Sequence, residues 1–122
     1  MEKHIHVMKQ SVELTDTMIE GLQHIQSLFS EGKMESTMFL FEDIVTAFSS
    51  VEGAIQPVME ELSQQDLDNH LQRVRNALEV TVTAYERKQY GKVQEIIQFT
   101  LLPQTTSLQQ NLETAFQPYI LS

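Results

Sequence analysis

The residues of this 122-residue chain that could bind a metal lie on two predicted helices. Asp16, Glu20 and His24 are spaced four residues apart on the first helix. Asp66 and His70 repeat the acid-to-histidine spacing on the third, so each set shares one helical face. Metal sites in helical bundles use inward-facing Glu and Glu-x-x-His ligands, a motif that this chain lacks. We therefore predict no metal site and no cofactor, and interpret these side chains as solvated, weakly stabilising pairs.

A second chemical role for His70 is phosphotransfer. His70 is followed by Leu71, Gln72, Arg73 and Val74. This segment resembles the His-x-x-Lys-Gly sequence of histidine phosphotransfer domains at two positions, with arginine in place of lysine and without the glycine. The resemblance implies a small acidic four-helix bundle in which His70 carries a phosphoryl group for a receiver domain. Histidine phosphotransfer signalling through His70 is therefore the alternative function.

Other catalytic chemistries lack the residues that they need. The chain has no cysteine, which excludes disulfides, thiolate zinc sites and cysteine nucleophiles. Its four glycines are isolated, and no phosphate-binding loop or nucleophile elbow is present. The paired acids Glu42-Asp43 and Glu60-Glu61 are adjacent, so on a helix they diverge from each other. We predict that the protein is not an enzyme, and we infer no small-molecule substrate.

The net charge of −9 is concentrated in the first half of the chain. Residues 1–68 carry 13 acidic and 3 basic side chains, whereas residues 69–122 carry 4 and 5. This distribution lacks the basic surface that binds nucleic acid or anionic membranes. No apolar run approaches the length of a membrane span, and the start has no signal-like apolar core. We expect a cytoplasmic protein with neither nucleic acid nor membrane as a partner.

Apolar spacing predicts an all-α fold in a single domain, residues 1–122. Side chains at intervals of three and four indicate amphipathic helices, and the low glycine and proline content leaves few turns. Connections of about two to five residues favour antiparallel neighbours, so we predict an up-down four-helix bundle. The predicted helices span about residues 4–30, 35–62, 66–89 and 91–116.

Prolines and glycines mark the predicted irregularities of these helices. Gly32 is expected to end the first helix in a left-handed conformation, and Gly91 is expected to mark the break before the fourth helix. Proline inside a helix collides with the carbonyl four residues earlier. We therefore predict a kink or local unwinding at Pro57 and a bend at Pro103, and we expect Pro118 to end the last helix.

The fourth helix has unusually few charges. From residue 93 to residue 122 its only charged side chains are Glu95 and Glu113. One face carries the expected core positions, which are Val93, Ile97, Leu101, Leu108, Leu112 and Ala115. A second apolar set points elsewhere and consists of Ile96, Phe99 and Leu102. These three side chains are covered either by neighbouring helices or by another protein.

We predict from this second set that the protein is a protein–protein interaction module. Ile96, Phe99 and Leu102 would form the apolar centre, with Gln98 and Thr106 in a rim that is easily dehydrated. The partner is a second copy in a homodimer, a client helix laid along the fourth helix, or both. The chain is similar in size and charge to bacterial export chaperones, which implies a chaperone-like or adaptor-like role.

A smaller apolar set at the start of the second helix has two interpretations. Met34 and Met38 lie beside Phe39, which sits off the apolar face of that helix. Methionine most often fills gaps in a core, but a flexible thioether next to an aromatic ring could also form an adaptable contact surface.

Overall fold

The computed structural model describes residues 2–62 and 65–120, which are helical apart from short connections. One 3-10 turn, Glu2–His4, leads into α1, and α2 and α3 follow along the chain. The last part of the chain is α4, a π-helical turn and α5 in direct succession, and residues 90–120 are called the fourth helix below. The bounds are Ile5–Ser30 for α1, Thr37–Leu62 for α2, Gln65–Glu86 for α3, Tyr90–Ile96 for α4, Ile97–Leu101 for the π turn and Leu102–Ile120 for α5.

The helices pack as an up-down four-helix bundle, as the sequence predicts. Each helix contacts the next one in the chain, and α5 returns to pack along α1. α1 and α2 pack closely around Gly21, where an added Cβ atom would lie 3.1 Å from Ile44 Cδ1. Openings of about 470 Å³ and about 460 Å³ lie between α1 and α5 and between α2 and α3.

A single core cluster runs the length of the bundle. Of the four fully buried threonines, three have hydroxyls that donate to the carbonyl four residues earlier at 2.7 or 2.8 Å. These hydrogen bonds satisfy the buried hydroxyls within their own helices, so the polar atoms need no partner across the core. The three threonines are Thr15, Thr81 and Thr105.

The π turn follows from the spacing of core residues in the fourth helix. Val93, Ile97, Leu101 and Thr105 are four residues apart, and all four are fully buried. In a regular α-helix three steps of four residues would rotate the side chains by about 120° away from one line. The wider turn absorbs this rotation, and the Leu102 amide donates to the Ile97 carbonyl five residues earlier. Core burial therefore selects the irregular turn.

The three prolines have different outcomes. The π turn, Ile97–Leu101, lies just before Pro103, and the bend predicted there stays a prediction. At Pro57, α2 continues without a break, so the alternative of local unwinding is wrong and the predicted kink stays a prediction; Ile55 and Val58 on either side are fully buried. The prediction that Pro118 ends the last helix is also wrong. The helix reaches Ile120 because its last side chains pack against the core.

Two left-handed residues end the first and third helices. Gly32 has φ 76° after α1, as predicted. After α3 the left-handed position is taken by Lys88, with φ 56°, while Gly91 lies inside α4. The Lys88 amide donates to the Tyr85 carbonyl at 2.9 Å, which closes the last turn of α3 three residues before the predicted end. Nothing in the sequence indicates that Lys88 adopts the left-handed conformation.

A hydrogen bond joins the start of α2 to the end of α3. The Thr37 hydroxyl donates to the Met34 carbonyl at 2.6 Å, so its oxygen accepts the Tyr85 hydroxyl proton at 2.8 Å. The Tyr85 ring also packs against Phe41, with ring centroids 5.1 Å apart. Burial raises the pKa of Tyr85 above its usual value.

We predict that deleting Gln98 converts the π turn into regular α-helix without disturbing the core. The buried positions would then follow at intervals of three and four, as a regular amphipathic helix requires. Deleting Ser107 instead rotates Leu108, Leu112 and Phe116 by about 100° out of the core. Urea unfolding should show a change within about 1 kcal/mol for the first deletion and a loss of at least about 3 kcal/mol for the second. Equal losses would contradict this explanation of the turn.

A second prediction concerns alkaline pH. Because the folded state raises the pKa of Tyr85, this group stabilises the fold below its unfolded pKa of about 10, and the contribution is lost as pH rises above that value. The wild type should therefore lose more unfolding free energy between about pH 9 and about pH 11 than Tyr85→Phe does. A wild type and Tyr85→Phe with parallel pH profiles would contradict the prediction.

Candidate interaction surface

Phe99 is the most exposed apolar side chain of the fourth helix. It lies in the π turn, and 69% of its surface is accessible. The two residues predicted to accompany it, Ile96 and Leu102, are half-buried and pack against the core cluster. The predicted set of three is therefore divided into one exposed ring and two side chains shared with the core.

The predicted rim residues differ in the same way. Gln98 is exposed beside Phe99. Thr106 is half-buried, and its hydroxyl donates to the Leu102 carbonyl at 2.9 Å, so that group is already satisfied within the helix. Of the two, Gln98 is the one whose polar group is free to meet a partner at the surface.

A shallow groove between α3 and the fourth helix adjoins this surface. It measures about 290 Å³ and is lined on the fourth helix by Ile96, Thr100 and Gln104. On α3 its wall includes Val80, of which 49% is accessible. The groove gives the half-buried Ile96 an exposed apolar neighbour, so the apolar surface beyond Phe99 extends towards α3.

The outer side of the fourth helix is almost free of charge. From residue 93 to residue 120 the charged side chains are Glu95 and Glu113, and the Gln109 side-chain amide donates to Glu113 at 2.7 Å. The exposed residues between them are neutral, namely Gln98, Phe99, Pro103, Ser107 and Gln110. Neutral amides and hydroxyls are less costly to dehydrate than carboxylates or ammonium groups. We refer to the exposed residues from 98 to 110 on this outer side as the neutral face.

The acidic side chains lie mainly on the other layer of the bundle. α2 contains five acidic residues and no basic one, and α1 carries Glu13, Asp16 and Glu20 against Lys9. Partial burial raises the pKa of Asp16, and the nearby carboxylates of Glu113 and Glu20 add to the effect. None of the helices in residues 2–62 and 65–120 has the length and hydropathy to cross a bilayer.

The residues considered for chemistry remain separate. His70 is half-buried in α3 and has neither a hydrogen bond nor an ion pair with the described part of the chain. Arg73, at the position of the lysine in phosphotransfer domains, is exposed, and Val74 is buried. Within residues 2–62 and 65–120, no three His, Asp or Glu side chains are arranged to hold a metal. The structure thus adds no contact that favours a role for His70.

Sequence reasoning missed Val80 and misplaced one core position. Val80 is apolar but lies beside the main apolar face of α3. Helical periodicity places this position at the surface and gives no reason to assign it a function. Phe116 is fully buried, whereas Ala115, the predicted core residue, is only half-buried. The π turn shifts the register of α5, and a regular helical wheel cannot include that shift.

Comparison with known proteins identifies the family. No curated protein and no solved structure matches the chain. A family model matches residues 6–111, which include α2, α3, the π turn and most of α1. The chain therefore belongs to the protein family described as Domain of unknown function (DUF8042).

Proposed function

We propose that this protein is an interaction module that pairs with a second copy of itself through the neutral face of the fourth helix. The observation that supports the proposal is the exposed ring of Phe99 at the centre of a charge-poor surface. The core is complete without this ring, so its exposure contributes nothing to folding. A cytoplasmic location, expected from the sequence, is part of the same proposal.

The charge distribution favours contact between two copies through the neutral face rather than through any other surface of the bundle. In a two-fold symmetric dimer the same surface meets itself, so like charges are brought together. The chain has a net charge of −9, and two copies repel each other wherever α1 or α2 is presented. The neutral face avoids that repulsion, and its glutamine side chains can donate to and accept from their own copies across the interface.

Size sets a second requirement. A stable interface buries about 800 Å² on each partner, far more than one phenylalanine ring provides. The fourth helix, at 1.5 Å per residue, is about 45 Å long, so two such helices side by side offer the necessary length. The interface would extend from Phe99 towards the Val80 and Ile96 groove on one flank.

Within such an interface the residues have distinct tasks. Phe99 is the anchor, because central aromatic side chains contribute most of the binding energy. Gln98 and Ser107 form the surrounding rim and exclude water without a large dehydration penalty. A client helix could use the same surface as an amphipathic ligand, so the oligomeric state decides between the two occupants.

We predict that Phe99→Ser dissociates the dimer. Removal of the central aromatic anchor should weaken self-association by at least about 30-fold, the usual consequence for an interface hot spot. Sedimentation equilibrium of wild type and variant across a concentration series measures the dissociation constant directly. Because Phe99 is exposed, the melting temperature of Phe99→Ser should remain close to that of the wild type.

The matched control is Phe39→Ser, which removes an equally exposed phenylalanine from α2. Its dissociation constant should equal that of the wild type. A wild type that remains monomeric at all concentrations would contradict self-association. If that monomer binds an amphipathic helical peptide, and Phe99→Ser abolishes the binding, the neutral face belongs to a client instead.

A further inference from the structure

A groove between α2 and α3, called the α2/α3 groove, offers a second surface. It measures about 460 Å³. Its floor is apolar and consists of Val45, Phe48, Leu78 and Val82. Val45 and Val82 are only half-buried, so they remain accessible to a ligand. An apolar floor of this kind suits the apolar face of an amphipathic segment.

Two contacts join α2 to α3 at the two ends of the groove. At one end, the Thr37 hydroxyl and the Tyr85 hydroxyl lie 2.8 Å apart and join the start of α2 to the end of α3. Farther along, the Arg75 guanidinium forms an ion pair with the Glu52 carboxylate and also donates to the Gln72 side chain at 2.6 Å. Glu52 and Arg75 also line the groove. The groove is thus part of the folded bundle.

The rim of the groove is acidic. Glu79 lines it from α3, and Glu42 lies seven residues before Ser49 on the same side of α2. Both carboxylates are exposed, and neither forms an ion pair with the described residues. The one basic side chain that lines the groove is Arg75, and Glu52 neutralises it. The groove therefore presents uncompensated negative charge.

Met38 extends the apolar surface beyond the groove. It precedes Val45 by seven residues, so both point to the α3 side of α2, and 40% of Met38 is accessible. A flexible thioether at this position adapts to ligands of different shape. The apolar track is consequently longer than the groove itself and matches about three turns of a bound helix.

We propose that the α2/α3 groove binds a basic amphipathic segment of another protein, with its apolar side chains on Val45, Phe48, Leu78 and Val82 and its Lys or Arg side chains beside Glu42 and Glu79. Charge complementarity selects this occupant: a second copy would bring its own acidic α2 against the acidic rim. The proposal does not depend on pairing through the neutral face, which lies on a different helix.

The first test fills the groove. Ser49 is exposed and lines the groove, whereas Ser50 is exposed on the same helix outside it. The probe is an acetylated and amidated helical peptide of leucine and lysine, about 14 residues long, with leucine on one face. Calorimetric titration should show peptide binding to the wild type and to Ser50→Trp within about 2-fold of each other. Ser49→Trp should weaken the binding by at least about 10-fold, because the indole occupies the groove.

The second test separates the groove from general attraction to an acidic protein. The double variant Glu42→Lys/Glu79→Lys reverses charge at the rim, and Glu20→Lys/Glu60→Lys makes the same net change at exposed positions elsewhere. The rim variant should lose at least about 10-fold in affinity, and the control variant less than about 3-fold at moderate salt. A peptide with glutamate in place of lysine should not bind the wild type.

The proposal is overturned if Ser49→Trp and Ser50→Trp bind the peptide equally, or if the two charge variants weaken binding to the same extent. Absence of peptide binding to the wild type would also overturn it. Sedimentation of Ser49→Trp distinguishes the two surfaces, since dimerisation through the neutral face should be unchanged. If Ser49→Trp alters the oligomeric state, the groove belongs to a contact between copies, and the assignment of a basic segment is wrong.

Discussion

Burial of one line of side chains along the fourth helix is the constraint on which the rest of the structure depends. Val93, Ile97, Leu101 and Thr105 reach the core together only because a π turn corrects the rotation that their spacing imposes. The same turn carries Phe99, whose ring then has no core position left to occupy. The irregular turn that packing requires thus contains the exposed aromatic residue on which the proposed interface is centred.

The order of the helices also distributes the charged residues unevenly over the bundle. Because α1 and α2 are neighbours, most of the acidic residues lie in one layer, while the fourth helix carries few charges. The acidic helices α1 and α2 repel a second copy, and the neutral face of the fourth helix offers nothing to hold a basic segment. Self-pairing and binding of a basic segment therefore belong to separate surfaces of one small bundle.

Sequence patterns predicted the bundle because helical periodicity and short connections are local properties. The end of α1 at Gly32 was predictable for the same reason, since glycine alone readily adopts the left-handed conformation. The left-handed Lys88 and the continuation of α5 past Pro118 were not, because tertiary packing overrides local preference at both positions.

The candidate site was predictable only in part. The charge-poor composition of the fourth helix directed attention to the segment in which Phe99 is exposed, and its role as an interface stays a prediction. Ile96 and Leu102 could not be separated from it, because a regular wheel of 100° per residue does not include the π turn. The α2/α3 groove depends on how closely two helices pack. The residue pattern along either helix does not predict that distance.

The central claim is that two copies meet at the neutral face with Phe99 in the middle. Isotope-filtered nuclear Overhauser spectroscopy on a mixture of labelled and unlabelled protein detects protons of different copies that lie within contact distance. The account predicts intermolecular signals between the Phe99 ring of one copy and fourth-helix side chains of the other. Signals that connect α1 or α2 of the two copies, or the absence of any intermolecular signal at high concentration, would contradict it.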